Sequence, residues 1–399
     1  MSSEVPEGWH GTTLGEVTTV KARIGWRGLS AAEYTNDGPF LVAGKHIRSG
    51  MIDWASCDHL STFRYEESPE IQLQTGDVIL SKDGSIGNPA LIGDLPGRAT
   101  INGTMMMIRP HSDHLVPSYL YQVVCGADFH RLIREKVSGS SIPHIFQRDI
   151  VHFPVVLPPL DEQRRIAEVL RSVDEAIAAN QDALGQVARA RSAILHTAFE
   201  ETPWEAVPLG ELGTWQSGGT PPKADDALWG GDVPWVCPRD MKTPVIRQTH
   251  STLTPLALGG SCKLAPKGTL MIVVRGMILA KAIPTATTAM DATFNQDMKA
   301  FRPNGRALPK FVQLCLQHQE RQLLRVVNTA THGTKKLDTD TLLAVSVPLP
   351  DLETQQELAD AVSDLDFASV KYGEEHIRLS MIKHALMSDL LSGRVRVPA

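Results

Sequence analysis

The sequence predicts an α+β fold: two α/β domains in tandem duplication, joined by two long helices forming an antiparallel coiled coil. Three observations carry this prediction. The second half of the chain repeats the first at a nearly constant offset, each repeat changes from mixed α/β text to helical text at a proline-rich junction, and the helical text has an apolar seam. A length of 399 residues also exceeds what one core usually serves.

The repeat is the strongest of the three. An offset of 192 to 195 residues brings Trp9 and Leu14-Gly15-Glu16 onto Trp204 and Leu209-Gly210-Glu211, and Gly76 to Leu80 with Gly84 onto Gly268 to Ile272 with Gly276. The same offset sets Asn102 on Asn295, Arg109-Pro110 on Arg302-Pro303, and Asp174 on Asp366. It also sets Leu157-Pro-Pro-Leu-Asp-Glu-Gln163 on Leu349-Pro-Asp-Leu-Glu-Thr-Gln355. Chance does not hold one offset over so many matches, and the chain is a duplicated unit of about 195 residues.

Within each unit the text before the junction has β-rich runs, Val78 to Leu80 and Leu270 to Val274, among many Gly and Pro breaks. A short helix is expected over Pro117 to Glu135, mirrored by Pro309 to Val326. After the junction, apolar residues recur at alternating steps of four and three. The first seam runs Ile166, Leu170, Val173, Ile177, Leu184, Val187 and Ile194, interrupted by Asn180 and Arg191. The second runs Leu358, Val362, Leu365, Tyr372, Leu379, Leu386 and Leu390, interrupted by Ser369, His376 and Lys383. Asp161 and Asp351 near the helix starts and Gly393 as a stop fit this reading. The boundaries expected are 1–159 and 204–350 for the domains, and 160–203 and 351–399 for the helices. Paired antiparallel, helices of this length would form a rod of roughly 50 to 60 Å. The alternative is that each helix packs only on its own domain.

Composition narrows the class. Hydrophobic residues make up 42% of the chain, charged residues 21% and aromatics 6%, as in a soluble globular protein. No apolar run reaches membrane-spanning length and the start lacks a signal-peptide pattern, so a cytoplasmic location with no membrane contact is expected. The five cysteines, Cys57, Cys125, Cys237, Cys262 and Cys315, are scattered and read as core thiols. The net charge of −6 hides a reversal. Residues 1–160 carry 13 Lys and Arg against 17 Asp and Glu, whereas 204–350 carry 16 against 11. The second domain therefore has a basic surplus that the first lacks.

On these residues the chain resembles the specificity subunits of type I restriction-modification systems. Leu157 to Asp174 is similar to the junction into that family's conserved helical region, and Leu386 to Val397 to its C-terminal signature. Gly76 to Gly87 is similar to the strand and loop of its target-recognition domains. The resemblance covers essentially the whole chain. It implies a non-catalytic subunit that binds double-stranded DNA, each target-recognition domain reading one half of a split target. It also implies docking of two methyltransferase subunits and of restriction translocase subunits. No cofactor and no metal is expected. The second copy departs from the pattern at Thr354, where the first has Glu162, and after Arg275-Gly276, where Met-Ile-Leu-Ala replaces Ser-Ile-Gly.

Loops that mix Lys and Arg with amides, hydroxyls and glycines can neutralise phosphates and meet base edges. The DNA-binding candidates in the first domain are Lys45, Arg48, Lys82, Ser85, Asn102, His144, Gln147 and Arg148. In the second they are Lys223, Arg239, Lys242, Arg275, Lys281, Asn295, Gln296, Thr334, Lys335 and Lys336. Lys82 and Lys335-Lys336 stand out as lying in glycine-bearing loops, while Asn102 and Asn295 could instead hold one shared turn. Catalytic signatures fail: neither Pro-Pro pair forms a methyltransferase loop, and Gly38 to His46 misses the phosphate-loop spacing. The remaining catalytic candidate is Asp291 with Asp297-Met298-Lys299, in a metal-dependent nuclease pattern. His111 to His114 reads as a surface turn and Trp9 and Trp204 as core anchors. The competing readings are thus a nuclease and a coiled-coil adaptor.

Overall fold

A computed structural model describes residues 5–23, 29–84, 86–137, 144–259, 261–329 and 333–398. The chain separates into two compact units, residues 1–182 with 372–399, and residues 183–371.

In unit 1 the elements used below are β1 (Thr18–Ala22), β2 (Tyr34–Val42), β3 (Asp58–Leu60), β4 (Val78–Ser81), β5 (Pro89–Leu91), β6 (Ala99–Ile101) and β7 (Met105–Pro110). They form a four-stranded sheet ordered β1-β7-β4-β5 and a three-stranded sheet ordered β3-β2-β6. The unbroken apolar run of β4 follows from burial on both faces. Val78 and Leu80 join Met106, Ile108, Tyr119 and Leu120 in one core, while Ile79 joins Met105, Met107, Val42 and Ile101 in another.

The single helix expected over 117 to 135 is instead two, α1 (Pro117–Val124) and α2 (Ala127–Val137). The break falls at Cys125-Gly126, where the Cys125 amide caps α1 and glycine is a poor helix residue. The long helix α3 follows (Leu160–His196).

Unit 2 repeats the plan with β8 (Gly213–Ser217), β9 (Trp229–Val236), β10 (Val245–Ile246), β11 (Ser251–Leu253), β12 (Leu270–Val273), β13 (Thr285–Thr288), β14 (Thr293–Phe294) and β15 (Met298–Pro303). The sheets are ordered β8-β15-β12-β13-β10 and β11-β9-β14, so the copy adds one edge strand, β10. The helix expected over 309 to 326 is again split, into α4 (Pro309–His318) and α5 (Glu320–Arg325), at Gln319. The second long helix is α6 (Leu352–Leu391).

The two long helices run antiparallel in each unit. In unit 1, Ile166 and Leu170 of α3 share a core with Met387 and Leu390 of α6, and Lys383 Nζ lies 2.5 Å from Asp174 Oδ1. In unit 2, Leu195 packs with Ala359 and Val362, and Arg191 Nε donates to Asp366 Oδ1 at 2.7 Å. The polar interruptions Arg191 and Lys383 are therefore interhelical ion-pair partners.

A buried glutamine ties the start of each long helix to its domain. The buried Gln163 accepts from the Val116 amide at 2.8 Å and donates to the His114 and Pro158 carbonyls at 3.0 and 2.9 Å. Gln355 does the same with the Leu308 amide and the Arg306 and Pro350 carbonyls, at 2.8, 2.9 and 2.9 Å.

Where the copies differ, so do the contacts. Trp9 is buried and donates to Glu162, which also receives two bonds from Arg396 at 2.6 Å. Trp204 is only half-buried and bonds the Ala198 carbonyl instead, so it is no core anchor; Thr354 offers no carboxylate at the Glu162 position. Cys57, Cys237, Cys262 and Cys315 are buried as expected, while Cys125 is partly exposed. Burial pushes the Cys57 and Cys125 thiols up to about 11, which leaves them protonated and unreactive near neutral pH.

Candidate nucleic-acid interface

Lys82, Asn102 and Asn295 directly follow strands, whereas Gln147 and Arg148, expected in a loop, open a short helix (Gln147–Val151) and Arg48 lies in a two-residue strand. In unit 1 the loop after β4 is held by three main-chain bonds. The Lys82 amide donates to Thr104 O (2.9 Å), the Ile145 amide to Lys82 O (3.1 Å), and the Gly87 amide to Ser81 O (2.9 Å). The Gly44 backbone packs so closely on Ser81 that a Cβ there would meet the hydroxyl at 2.5 Å, which brings Lys45 beside the same strand end. Asn102 donates from its amide to Val42 O and accepts from the Thr104 amide at 3.0 Å, so it holds the neighbouring turn.

Unit 2 builds the same frame. The Val274 amide donates to Asp297 O (2.9 Å) and the Leu337 amide to Val274 O (2.9 Å). The Asn295 amide donates to Val236 O, and its side chain accepts from the Asp297 amide at 3.1 Å. Bridges Asp83 to His144 and Arg275 to Lys336 occupy equivalent places. Lys335-Lys336 is thus not a free loop but a short strand, paired antiparallel with Asn328–Thr329 and bridged also to Arg275.

The side chains on this shared frame differ. Asp83 lies between Lys82 Nζ (2.7 Å) and His144 Nδ1. Burial works against its charge, but the hydrogen bonds from Lys82 and His144 outweigh it and hold the carboxyl below its ordinary value. The His144 ring meets the Phe146 ring at 4.3 Å between centroids, tilted by 59°, and the Arg148 guanidinium lies 4.6 Å over the same Phe146 ring. Gln147 is exposed beside them, and Ser85 lies outside the described residues. Two further cations of unit 1 carry acid partners: Lys45 pairs with Asp58 at 2.9 Å and Arg48 with Asp53 at 3.1 Å.

Unit 2 leaves more charge uncompensated. Arg275, Lys223, Lys242 and Lys281 are exposed and have no side-chain ion pair among the described residues. Among the described residues Lys335 Nζ bonds the Thr329 hydroxyl (2.8 Å), and Lys336 pairs with Asp338 (2.7 Å). Thr334 precedes them, half-buried. Gln296 accepts from Thr220. Arg239 donates to Ser251 Oγ at 2.8 Å and shares with Lys223 and Asn295 a concavity of about 540 Å³ walled by Trp229, Trp235 and Pro238.

Asp83 and Phe146 touch candidate residues and Lys299 lies near Lys336, yet none of the three was singled out from the sequence as a DNA-binding candidate. Burial and the nearby Lys336 both push the pKa of Lys299 down, and it bonds Ser217 Oγ at 3.2 Å. Its alternation with buried Met298 and Ala300 was the available signal. The nuclease pattern dissolves into local roles: Asp291 accepts from the Lys267 amide, and Asp297 bonds Asn295. Among the described residues no group of three His, Cys, Asp or Glu side chains could hold a metal ion, and no helix is long and apolar enough to cross a membrane.

A profile of the type I restriction modification DNA specificity domain matches residues 6–189 and again 201–375. The sequence is 33% identical over 170 residues to the EcoR124I/EcoR124II specificity subunit of Escherichia coli, an alignment that takes in 42% of each chain. It is 22% identical over 433 residues to the MjaVIII specificity subunit of Methanocaldococcus jannaschii, covering 98% of this chain and 94% of that one. Two solved structures share the fold. The type I restriction-modification S subunit from M. genitalium has a TM-score of 0.62 at 15% identity, covering 98% of this chain and 97% of that one. A chain from a study of assembly and conformational transition in the type I R-M system has a TM-score of 0.52 at 20% identity, covering 98% of this chain and all of that one.

Proposed function

This chain belongs to the type I restriction modification DNA specificity family, and from that premise we propose that it reads a bipartite DNA target without catalysing any reaction itself. Residues 1–159 read one half of the target and residues 204–350 the other. The segments 160–203 and 351–399 carry two methyltransferase subunits, and restriction translocase subunits join that assembly in the cytoplasm.

The observation that carries this reading is one frame holding different side chains. Main-chain bonds at Lys82, Thr104 and Ile145 recur at Val274, Asp297 and Leu337, while the bridged side chains change from Asp83 and His144 to Arg275 and Lys336. A frame that is kept while its outward groups vary suits two domains that read different bases, because base edges differ only in their donors and acceptors. Docking is supported by apolar side chains of α6 exposed outside the seam, Phe367 and Val370 in unit 2 and Ile377 and Met381 in unit 1.

Methylation mapping tests the reading. DNA from a host expressing this chain with its cognate methyltransferase subunit should carry a motif of two specific halves around a fixed gap, absent with the methyltransferase alone. An assembled pair that methylates no such motif overturns it.

A further inference from the structure

We propose that Lys82 and Asp83 together read a C·G base pair in the half-target of the first domain. Asp83 accepts from the cytosine N4 amine, and Lys82 donates to guanine O6 and N7. The inference rests on the proposed duplex-reading function and adds to it a residue pair and the base pair it selects.

A carboxylate in a loop that faces a polyanion is repelled unless it meets a donor. In the major groove the base donors are cytosine N4 and adenine N6. Asp83 Oδ2 lies 2.7 Å from Lys82 Nζ, so an acceptor and a donor stand side by side. A C·G pair presents the complement, the N4 amine next to guanine O6. An A·T pair also sets an amine beside a carbonyl, but there adenine N7 would face the carboxylate and the thymine methyl the ammonium. Opposite C·G the flanking groups are the cytosine C5–H, which does not repel the carboxylate, and guanine N7, a second acceptor for Lys82.

The pair is also held in place before DNA arrives. Only 13% of the Lys82 side chain and 30% of the Asp83 side chain are exposed, and His144 bonds the far oxygen of Asp83. Main-chain bonds fix the loop from both sides. Such preorganisation removes the ordering cost that an exposed lysine would bring to a base contact. The equivalent positions of the second domain are Val274 and Arg275, so the preference belongs to one half-target only.

The test maps the methylated motif of the complex carrying wild-type chain, Asp83→Ala or Asp83→Asn. With Asp83→Ala, one C·G position in one half should lose its requirement, discrimination there falling roughly ten- to hundredfold, with the other half unchanged. Asp83→Asn, of the same shape, should shift that position toward A·T, since an amide pairs with adenine. Should Asp83→Ala fail to assemble, the Asn variant decides. A uniform loss of methylation with an unchanged motif, or relaxation at an A·T position, overturns the inference and leaves the proposed function standing. Absence of any bipartite motif with the wild-type chain overturns the proposed function itself, and the inference falls with it.

Discussion

Neutralising Arg275 and Lys335 together should flatten the salt dependence of DNA binding. Each phosphate neutralised contributes about 0.9 to the slope of log K against log salt. Among the described residues Arg275 has no side-chain ion pair and Lys335 Nζ bonds the uncharged Thr329 hydroxyl, so neither cation is compensated by a carboxylate there. The double variant Arg275→Ala/Lys335→Ala should therefore lose about 1.8 from the slope. Over a fourfold rise in salt, wild-type affinity then falls about twelvefold more than that of the variant. Lys336 already has Asp338 at 2.7 Å, and Lys82 has Asp83 at the same distance, so Lys336→Ala or Lys82→Ala should change the slope less than either Arg275→Ala or Lys335→Ala. Fluorescence anisotropy of the methyltransferase complex on a non-specific duplex, titrated from low to moderate KCl, reads these slopes. A double variant with the wild-type slope, or a Lys82→Ala slope as shallow as that of the double variant, would refute the reasoning.

Three further outcomes are expected. Arg396→Ala should lower the thermal midpoint of unit 1, because the buried Glu162 carboxylate loses its two charge-assisted hydrogen bonds and keeps, among the described residues, the Trp9 indole as its hydrogen-bond donor. Adding Glu162→Thr should restore part of the loss, and simple additivity of the two effects would count against the clasp. The Arg396 hydrogen bonds hold the Glu162 carboxyl below its ordinary range. This stabilisation is thus present above the unfolded carboxylate value near 4.3 and lost as pH falls through the lower folded value; a wild-type midpoint that ran parallel to that of Glu162→Gln across acid pH would contradict it. Gln163→Ala and Gln355→Ala each strand three main-chain groups, a cost of about 3 kcal/mol, and hydrogen exchange should quicken at Val116 in the first variant and Leu308 in the second.

The repeat and the helical seams were legible because both are periodic, and every seam position named is buried or half-buried. The helix pairs over 117–137 and 309–325 were not separated in advance: each break occurs within an otherwise continuous amphipathic run, and only Gly126 marked one of them. The site was half legible. Basic residues in loops were visible, but whether a cation is spent on a neighbour depends on contacts such as Lys45 to Asp58, made when sheet strands come together. Asp83 and His144 are 61 residues apart, so their pairing cannot be read locally. The repeat offset sets Asp83 on Arg275 and His144 on Lys336 but pairs neither couple, because both bridges form only when the sheets assemble.

Charge also explains why the two helices take one relative direction. Each carries an acid and a base at matched repeat positions, Asp174 and Arg191 in α3, and Asp366 and Lys383 in α6. Parallel pairing in register would set Asp174 against Asp366 and Arg191 against Lys383, two like-charge contacts on a half-buried seam. Antiparallel pairing converts both into the observed attractions, Asp174 with Lys383 and Arg191 with Asp366. An apolar seam alone fits either direction, because Leu, Val and Ile repeat at the same spacing both ways. The discrimination comes from what the wrong arrangement would suffer more than from what the right one gains, since half-exposed pairs contribute modestly to stability. A duplicated helix bearing one acid and one base therefore specifies antiparallel association, and the substitution of Lys383 for an arginine at that repeat position leaves the specification intact.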